Sequence, residues 1–272
     1  MKITLYNNVY LNGKKLIIDS NTILNGNGHI IYCGEVLIKG NNNKIENVKI
    51  IYSPKCGLKI KGNKNKIENV STINNKRTGI QICDGGSNNK IINCYSAYNN
   101  SGTGDADGFA CKLNSGKGNV FKNCQAYYNE DDGFDLFAAG DSVKLINCKS
   151  CYNDRNNGSG FKLGGFKKED DLNPNIHHEL YNCIACGNAR YGFTSNNQVG
   201  NITLEKCSSF FNRKEDYFFP KISHPKNKSE LKLGKTFIKK CLKIPTSTSN
   251  TDGIEEAKWI KRFSLKEIIK SL

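Results

Sequence analysis

One short motif recurs seven times in this chain, and it restricts the folds that the chain can adopt. In each copy an apolar residue is followed two positions later by Asn, or by Lys in the last copy, and then by Val or Cys. These Asn or Lys positions are residues 47, 69, 93, 123, 147, 182 and 206, so successive copies lie 22, 24, 30, 24, 35 and 24 residues apart. A unit of about 22–24 residues cannot bury an apolar face by itself, so neighbouring units must stack on one another.

Further columns of residues keep the same register. A second Asn lies six residues after the Asn or Lys of the motif in six successive copies, at Asn75, Asn99, Asn129, Asn153, Asn188 and Asn212. Short alternating strands begin at Gly57, Gly79, Gly133 and Gly160. If strands of successive units pair in parallel, about 4.8 Å apart, equivalent side chains form columns. The Asn amides could then bond to one another. The interior would be lined by Val48, Val70, Cys94, Cys124, Cys148, Cys183 and Cys207.

These patterns predict an all-β protein, built as a parallel β-helix over residues 1–244 with core repeats at about 22–212. A leucine-rich repeat would need far more leucine in each unit, and the strands of a β-sandwich would not keep this register. Residues 245–272 are predicted to form a linker, Pro245–Gly253, followed by a helix. Ile254–Leu272 has apolar residues at helical spacing and acidic residues in its first turn, so we expect a short helix that caps the solenoid.

The charge of the chain limits its partners. Forty Lys and Arg side chains against 25 Asp and Glu give a net charge of +15, which favours a polyanionic partner. The basic residues are scattered, so nucleic acid is disfavoured. No apolar run approaches the roughly 20 residues of a membrane span, and the first residues lack the apolar stretch of a secretory signal. We therefore expect a monomer without a membrane or nucleic-acid partner.

The twelve cysteines do not follow the spacing of a zinc site. The two-residue gaps at Cys148/Cys151 and Cys183/Cys186 are isolated, and no His pair accompanies them. Five cysteines instead occupy the interior column of the repeat. We expect most of the twelve to be small buried apolar residues, as suits a reducing environment.

Carboxylates are concentrated in two adjacent repeats. Asp107 and Asp132 each precede a Gly of the strand column, so they should stack on neighbouring coils, and Asp131 adjoins Asp132. Asp135 lies between two apolar residues, so alternation points it outward, and the same position of the next coil is Lys162. Four converging carboxylates would repel one another unless a cation lay between them. Ligands that are all oxygen favour Ca²⁺ over zinc or copper.

The segments around these carboxylates resemble the ninth family of polysaccharide lyases, the calcium-dependent pectate lyases and exopolygalacturonate lyases. The resemblance covers about residues 67–212 and rests on four runs, DADGFACKL from Asp105, GNVFKNCQAYYNEDDGFDL from Gly118, GSGFKLGG from Gly158 and HHELYNCIACGN from His177. It implies a right-handed parallel β-helix, a Ca²⁺ ion bound by Asp107, Asp131, Asp132 and Asp135, and Lys162 as the Brønsted base. The implied reaction is β-elimination on polygalacturonate, an acidic polysaccharide.

Two features depart from that family. The family usually has an Asp-Gln pair after the Gly-Phe of the later coil, whereas this chain has Thr194 and Ser195. The family is typically exported, yet no signal segment is visible here, so the sequence gives no cellular compartment. Among the other polar residues, we expect Lys112, Lys167, Arg190 and Asn197 to bind substrate along the groove, the three basic ones through uronate carboxylates.

Two other functions are consistent with a β-helix that carries acidic residues. A glycoside hydrolase would use one carboxyl group as acid and another as base, but such a mechanism gives Lys162 no role. A binding protein of the adhesin type would hold polysaccharide without cleaving it. The three readings differ in their products, which are an unsaturated sugar, a new reducing end, or no product.

Overall fold

The fold is described from a computed structural model, for residues 1–153, 157–167, 172–223, 231–243, 249–250 and 254–260. Within this part every regular element is a strand, and there is no helix that could cross a membrane. Apart from one antiparallel pair, Ile222–Ser223 with Leu231–Lys232, the strands pair in parallel with their equivalents one coil away. The predicted all-β parallel β-helix is therefore confirmed.

Each coil contributes strands to three faces. The first, called here the site face, is a ten-stranded parallel sheet, and its strands are Lys15–Ile18, Glu35–Ile38, Leu58–Ile60, Ile80–Ile82, Phe109–Cys111, Phe134–Asp135, Phe161–Lys162, Tyr191–Thr194, Glu215–Phe218 and Ser249–Asn250.

The other two faces form one 18-stranded sheet, because a few long strands bend from one face into the other. The second face contains Lys2–Thr4, Ile23–Asn25, Lys90–Ile92, Asn119–Lys122, Val143–Ile146, His177–Tyr181 and Asn201–Glu205. The third face contains Val9–Tyr10, Ile30–Tyr32, Tyr95–Ala97, Gln125–Tyr127, Lys149–Cys151, Ile184–Cys186 and Ser208–Phe210. The strands that span both faces are Lys44–Ile51, Lys66–Ile73, Thr236–Lys243 and Ile254–Ile260.

The recurring motif forms the corner between the second and third faces. All seven Asn or Lys residues of the motif have φ between 51° and 55°, the left-handed region. Asn tolerates this conformation better than most residues, which explains its repetition. The residue that follows each corner returns to the interior, and the predicted column from Val48 to Cys207 is at most 2% exposed throughout.

The second Asn column is a buried hydrogen-bonded ladder. Each side-chain amide from Asn75 to Asn188 donates to the side-chain oxygen of the next Asn, over 2.8–2.9 Å, and Asn212 ends the series. The Gly column faces this ladder. A Cβ atom on Gly133 would overlap Oγ of Ser150 and lie only 2.8 Å from Nδ2 of Asn153, so Ser150 and the ladder together leave no room for a side chain there. Both columns predicted from the repeat thus depend on each other.

The stack extends further at both ends than the predicted repeats at 22–212, since Lys2–Thr4 already pairs with the next coil. The predicted C-terminal helix is wrong over Ile254–Ile260, which forms a strand on the edge of Thr236–Lys243. An exposed parallel edge offers this segment backbone partners along its whole length, whereas a helix of a few turns is marginal alone. The rest of the predicted helix, 261–272, and most of the linker lie outside the described residues. The domain boundary after residue 244 stays a prediction.

Ten of the twelve cysteines are unpaired and nine of these are buried, as expected for small apolar residues. The remaining two, Cys151 and Cys186, occupy equivalent positions of adjacent coils on the third face and form a disulfide. The spacing of these two cysteines in the sequence does not predict the pair, because the pairing depends on how the 35-residue unit closes.

Candidate active site

The site is built on one outward-facing column of the site face. The strand register places Asp135 beside Ala110 of the preceding coil and beside Lys162 of the following coil, and Lys162 beside Thr194. Phe134 and Leu136, on either side of Asp135, are each 1% exposed and pack in the core. The alternation predicted from the sequence therefore holds, and it places a carboxylate and an ammonium group on neighbouring coils.

A second column supplies two more carboxylates. Asp107 and Asp132 lie on adjacent coils, since the backbone N–H of Gly108 donates to the carbonyl of Asp132. Neighbouring coils hold both side chains, because the hydroxyl of Thr78 donates to Asp107 over 3.0 Å and the N–H of Ser159 donates to Asp132 over 2.8 Å. Carboxylate oxygens of Asp107, Asp132 and Asp135 all lie within 4.8 Å of one another. These three aspartates are called here the carboxylate cluster.

The cluster was expected on the outer surface, but it is buried. Each of the three residues is at most 2% exposed. Two lysine side chains cover it, Lys112 with 15% and Lys162 with 21% of the side chain exposed. Phe137 adds to the cover, with its ring 5.6 Å from the Lys162 amine. The outward direction follows from strand alternation, whereas the burial depends on long side chains from adjacent turns.

Ion pairs connect the lysines to the cluster. Lys112 Nζ lies 2.6 Å from Asp107 and 2.8 Å from Asp135 and donates a hydrogen bond to each. Lys162 Nζ lies 2.9 Å from Asp132 Oδ2 and 3.4 Å from Asp135 Oδ1. Lys162 therefore forms ion pairs with two carboxylates of the cluster.

Burial and mutual repulsion shift the pKa values of the acids. Burial, followed in size by neighbouring carboxylates, raises the pKa of Asp131 to about 9. Burial likewise raises the pKa of Asp107 to about 6 against the attraction of Lys112. Burial would also raise the pKa of Asp135, but Lys112 and Lys162 together hold it below its ordinary value. Asp135, placed between two ammonium groups, is the carboxylate that stays ionised most readily.

The same contacts raise the pKa of Lys162. Burial alone would lower it, but the attraction of Asp132 and Asp135 outweighs burial. The amine of Lys162 is thus protonated at neutral pH in the protein alone. A cation bound to the same carboxylates would weaken that attraction and lower the pKa of this lysine.

The donor set fits a divalent cation. The three carboxylates of the cluster and two ammonium groups leave an excess of one negative charge, and a bound cation would also favour ionisation of Asp131 at its edge. Oδ1 of Asp107 is buried and has no hydrogen-bond partner among the described residues, so one oxygen is available to a ligand. Hard oxygen donors of this kind suit Ca²⁺. Asp131 is partly exposed and lies outside the group of three, although it lines the adjoining cavity.

A cavity of about 520 Å³ opens beside Lys162 and contains two of the predicted substrate contacts. Arg190 and Asn197 both line it. The guanidinium of Arg190 lies 4.9 Å from the Tyr191 ring, and its buried Nε atom has no hydrogen-bond partner within the part of the chain that the structure describes. Lys167 lines a second cavity on the other side of the cluster. Lys112 lines the same second cavity while its amine pairs with Asp107 and Asp135, and its contact with substrate stays a prediction.

Sequence reasoning missed the aromatic residues of the first cavity. Tyr191 and Phe218 stack with ring centroids 4.4 Å apart on adjacent coils, and both line the cavity together with Phe137. The signal was weak, because Tyr191 stands before the Gly of its strand whereas Phe218 lies beyond the last Asn of the ladder. Only the register of the strands brings the two rings together.

Comparison with known proteins gives the family. The family description "Pel9A-like, right handed beta helix region" matches residues 2–228. The chain belongs to this family. The match confirms the resemblance predicted from the DGFA, DDGFDL and GFKLGG runs, and it confirms that the β-helix is right-handed.

Relatives of this Pel9A-like chain carry lyase names. "Pectate lyase L" of Paenibacillus polymyxa (strain SC2) is 37% identical over 206 residues, which are 70% of this chain and 41% of that protein. "Pectate lyase L" of Dickeya chrysanthemi is 37% identical over 144 residues, 48% of this chain and 32% of that protein. The Pel9A-like chain therefore spans less than half the length of these two relatives.

Solved structures agree on the architecture. The crystal structure of pectate lyase Pel9A superposes with a TM-score of 0.75 at 24% identity, over 95% of this chain and 69% of that one. At that identity the likeness shows the fold alone. A structure named "Rhamnogalacturonan lyase" superposes with a TM-score of 0.67 at 25% identity, over 89% of this Pel9A-like chain and 66% of that one.

Proposed function

We propose that this chain is a pectate lyase that cleaves polygalacturonate by β-elimination, with Lys162 as the base and Ca²⁺ bound by Asp107, Asp131, Asp132 and Asp135. The observation that carries this proposal is the register of Asp135 against Lys162 above a buried carboxylate cluster. The names of the relatives support the substrate class.

In this mechanism the amine of Lys162 removes the proton from C5 of a galacturonate unit. The electron pair of the C–H bond forms the C4–C5 double bond, the C4–O bond breaks, and the leaving oxygen takes a proton from water. When bound, Ca²⁺ would supply Lewis-acid stabilisation of the charge that develops on the uronate carboxylate. Asp135 and Asp132 orient the Lys162 amine, and Phe137 shields it from water.

The amine must be neutral to act, so the raised pKa of Lys162 sets the direction of the pH dependence. An ordinary lysine has a pKa near 10.4. The carboxylates move this value upward, and a bound cation opposes them. We therefore expect kcat/KM to rise with pH through the alkaline range. A rate that is flat between about pH 6 and pH 10 would contradict lysine as the base.

The test is to replace Lys162 with Met, which keeps the length of the side chain but removes the amine. The rate at which unsaturated product forms from polygalacturonate, measured by ultraviolet absorbance, should fall by about 10²–10⁴-fold. Lys122→Met, on the exposed second face, is the matched control and should keep wild-type activity. A chelator should abolish the wild-type rate and Ca²⁺ should restore it.

The products separate this proposal from the alternatives. Reducing ends without ultraviolet absorbance would indicate a hydrolase, and binding without any product would indicate an adhesin-type protein. Nothing in the arrangement favours hydrolysis, because the cluster pairs its acids with lysines. The monomeric state, and the absence of nucleic-acid and membrane partners, stay predictions.

A further inference from the structure

The groove on the site face has two arms with different chemistry. One arm, called here the aromatic arm, is the cavity next to Lys162, and among the described residues its lining includes Tyr191, Phe218 and, besides Lys162 itself, the cation Arg190. The other, called here the basic arm, is a cavity of about 660 Å³ over the preceding coils, and its charged or amide lining includes Lys55, Lys59, Arg77, Gln81, Lys112 and Lys167. Phe137 lines both arms, so they meet above the carboxylate cluster.

Lys59 lines the basic arm and lies in register with the outward-facing column that contains Asp135 and Lys162. The register runs from Lys59 to Gln81, then to Ala110 and on to Asp135, one coil at a time. Three coils at about 4.8 Å each place Lys59 about 14 Å from Asp135 along the solenoid axis. A polysaccharide that follows this column would pass over both positions.

Several charges of the basic arm are already compensated. Lys112 is paired with Asp107 and Asp135. Arg77 lies 3.3 Å from the exposed Asp105, and Glu35 lies 3.3 Å from Lys15. Lys55 and Lys59, in contrast, have no carboxylate within ion-pair distance among the residues that the structure describes. The arm therefore keeps an excess of positive charge facing the groove.

We propose that the basic arm binds the free carboxylates of uronate units several sugars away from the cleaved bond, with Lys59 as the principal contact. This rests on the proposed function and deepens it, because it names a residue that contacts the polymer far from the cleaved bond. A methyl-esterified unit is neutral and forms no ion pair with Lys59. Lys59 consequently adds affinity only for chains long enough to reach from the carboxylate cluster into the basic arm.

The test compares Lys59→Gln with wild type on unesterified polygalacturonate, on trigalacturonate and on highly methyl-esterified pectin. Loss of one partly exposed ion pair should raise KM for the unesterified polymer about 5-fold. The rise should be smaller for the trisaccharide, which is too short to occupy both the cluster and the basic arm. It should also be smaller for esterified pectin. At high salt the difference in KM between wild type and Lys59→Gln should shrink. Lys122→Gln is the matched control.

Retardation in gels that contain polygalacturonate provides a reading that does not need catalysis. The Lys162→Met variant should be retarded, and adding Lys59→Gln should reduce that retardation. An equal KM for Lys59→Gln and wild type on the polymer would overturn the role of Lys59 while leaving the lyase intact. A rise in KM of the same size on the trisaccharide as on the polymer would also overturn the role of Lys59. If the protein never forms unsaturated product but its retardation depends on Lys59, the proposed lyase activity is wrong and the proposed uronate binding by the basic arm stands.

Discussion

Two of the buried columns of polar side chains in this solenoid reach opposite electrostatic outcomes. The Asn ladder from Asn75 to Asn212 satisfies itself, because each amide offers a donor to the coil on one side and an acceptor to the other. Asp107 and Asp132 occupy an equally regular column, but ionised carboxylates only accept hydrogen bonds. Parallel stacking therefore stabilises amides and destabilises acids.

The difference explains why the acidic column needs partners from outside it. Lys112 and Lys162 compensate part of the charge, yet Asp107 Oδ1 remains without a donor and the pKa of Asp131 remains raised. Such an arrangement costs stability unless a cation completes it. The ladder stabilises the fold, whereas the carboxylate cluster lowers the stability of the cation-free protein and forms a binding site.

The largest effect is expected where an acid is placed in the ladder. Asn129 is fully buried and donates to Asn153 and to the carbonyl of Ser96. Asn129→Asp replaces that donor with an acceptor facing other acceptors, so it should lower the free energy of unfolding by about 3–5 kcal/mol at neutral pH. Denaturant unfolding measures this. The loss should be smaller near pH 3, where the new carboxyl is protonated, and a loss of the same size at both pH values would contradict the charge argument.

A smaller effect of opposite sign is expected where an acid is removed from the cluster. With a folded-state pKa of about 9 against an ordinary value near 3.9, Asp131 keeps its proton in the folded protein while the unfolded chain has lost it. Without calcium, its contribution therefore destabilises the fold increasingly as the pH rises from about 4 to 9. Asp131→Asn should stabilise the calcium-free protein by about 1–2 kcal/mol at pH 8, and much less at pH 4.

Thermal unfolding with chelator, at both pH values, measures the effect of Asp131→Asn. The exposed Asp19→Asn is the matched control and should leave the pH trend of wild type unchanged. Added Ca²⁺ should raise the unfolding temperature of wild type more than that of Asp131→Asn. A variant that is less stable than wild type at pH 8 in chelator would contradict the proposed repulsion.

The smallest effect is expected in the exposed Asn column at the corner. Asn123 donates to Asn93 over 2.9 Å but is exposed, and its φ is 55°. Asn123→Gly keeps the left-handed corner at no steric cost and loses only hydrogen bonds that water can replace, so stability should change by less than about 0.5 kcal/mol. Chemical denaturation measures this change. A loss as large as that expected for Asn129→Asp would contradict the view that water replaces the hydrogen bonds of this exposed column.

Much of the fold could be predicted because the sequence repeats it. Strand alternation, the Asn corner and the interior Val and Cys column each recur with every coil, so a single coil explains the others. The pairing of Asp135 with Lys162 could be predicted for the same reason. The C-terminal strand could not, because Ile254–Ile260 carries no repeat motif and its pairing depends on an edge that only the folded stack provides.

The chemistry of the site was less visible in the sequence. The burial of the cluster depends on the reach of Lys112 from the turn after its strand, and alternation alone says nothing of that reach. The stack of Tyr191 on Phe218 joins residues 27 positions apart that share no motif. Spacing predicts which positions are neighbours, but side-chain length decides which atoms meet.

The close packing of Gly133 against Asn153 has a consequence for how this protein can evolve. Asp132 adjoins that glycine directly, so the Asn ladder helps to set the position of the carboxylates along the solenoid axis. Loops around the groove can lengthen without moving the ladder. A substitution that displaces the ladder would instead move the carboxylates and disrupt the site that they form.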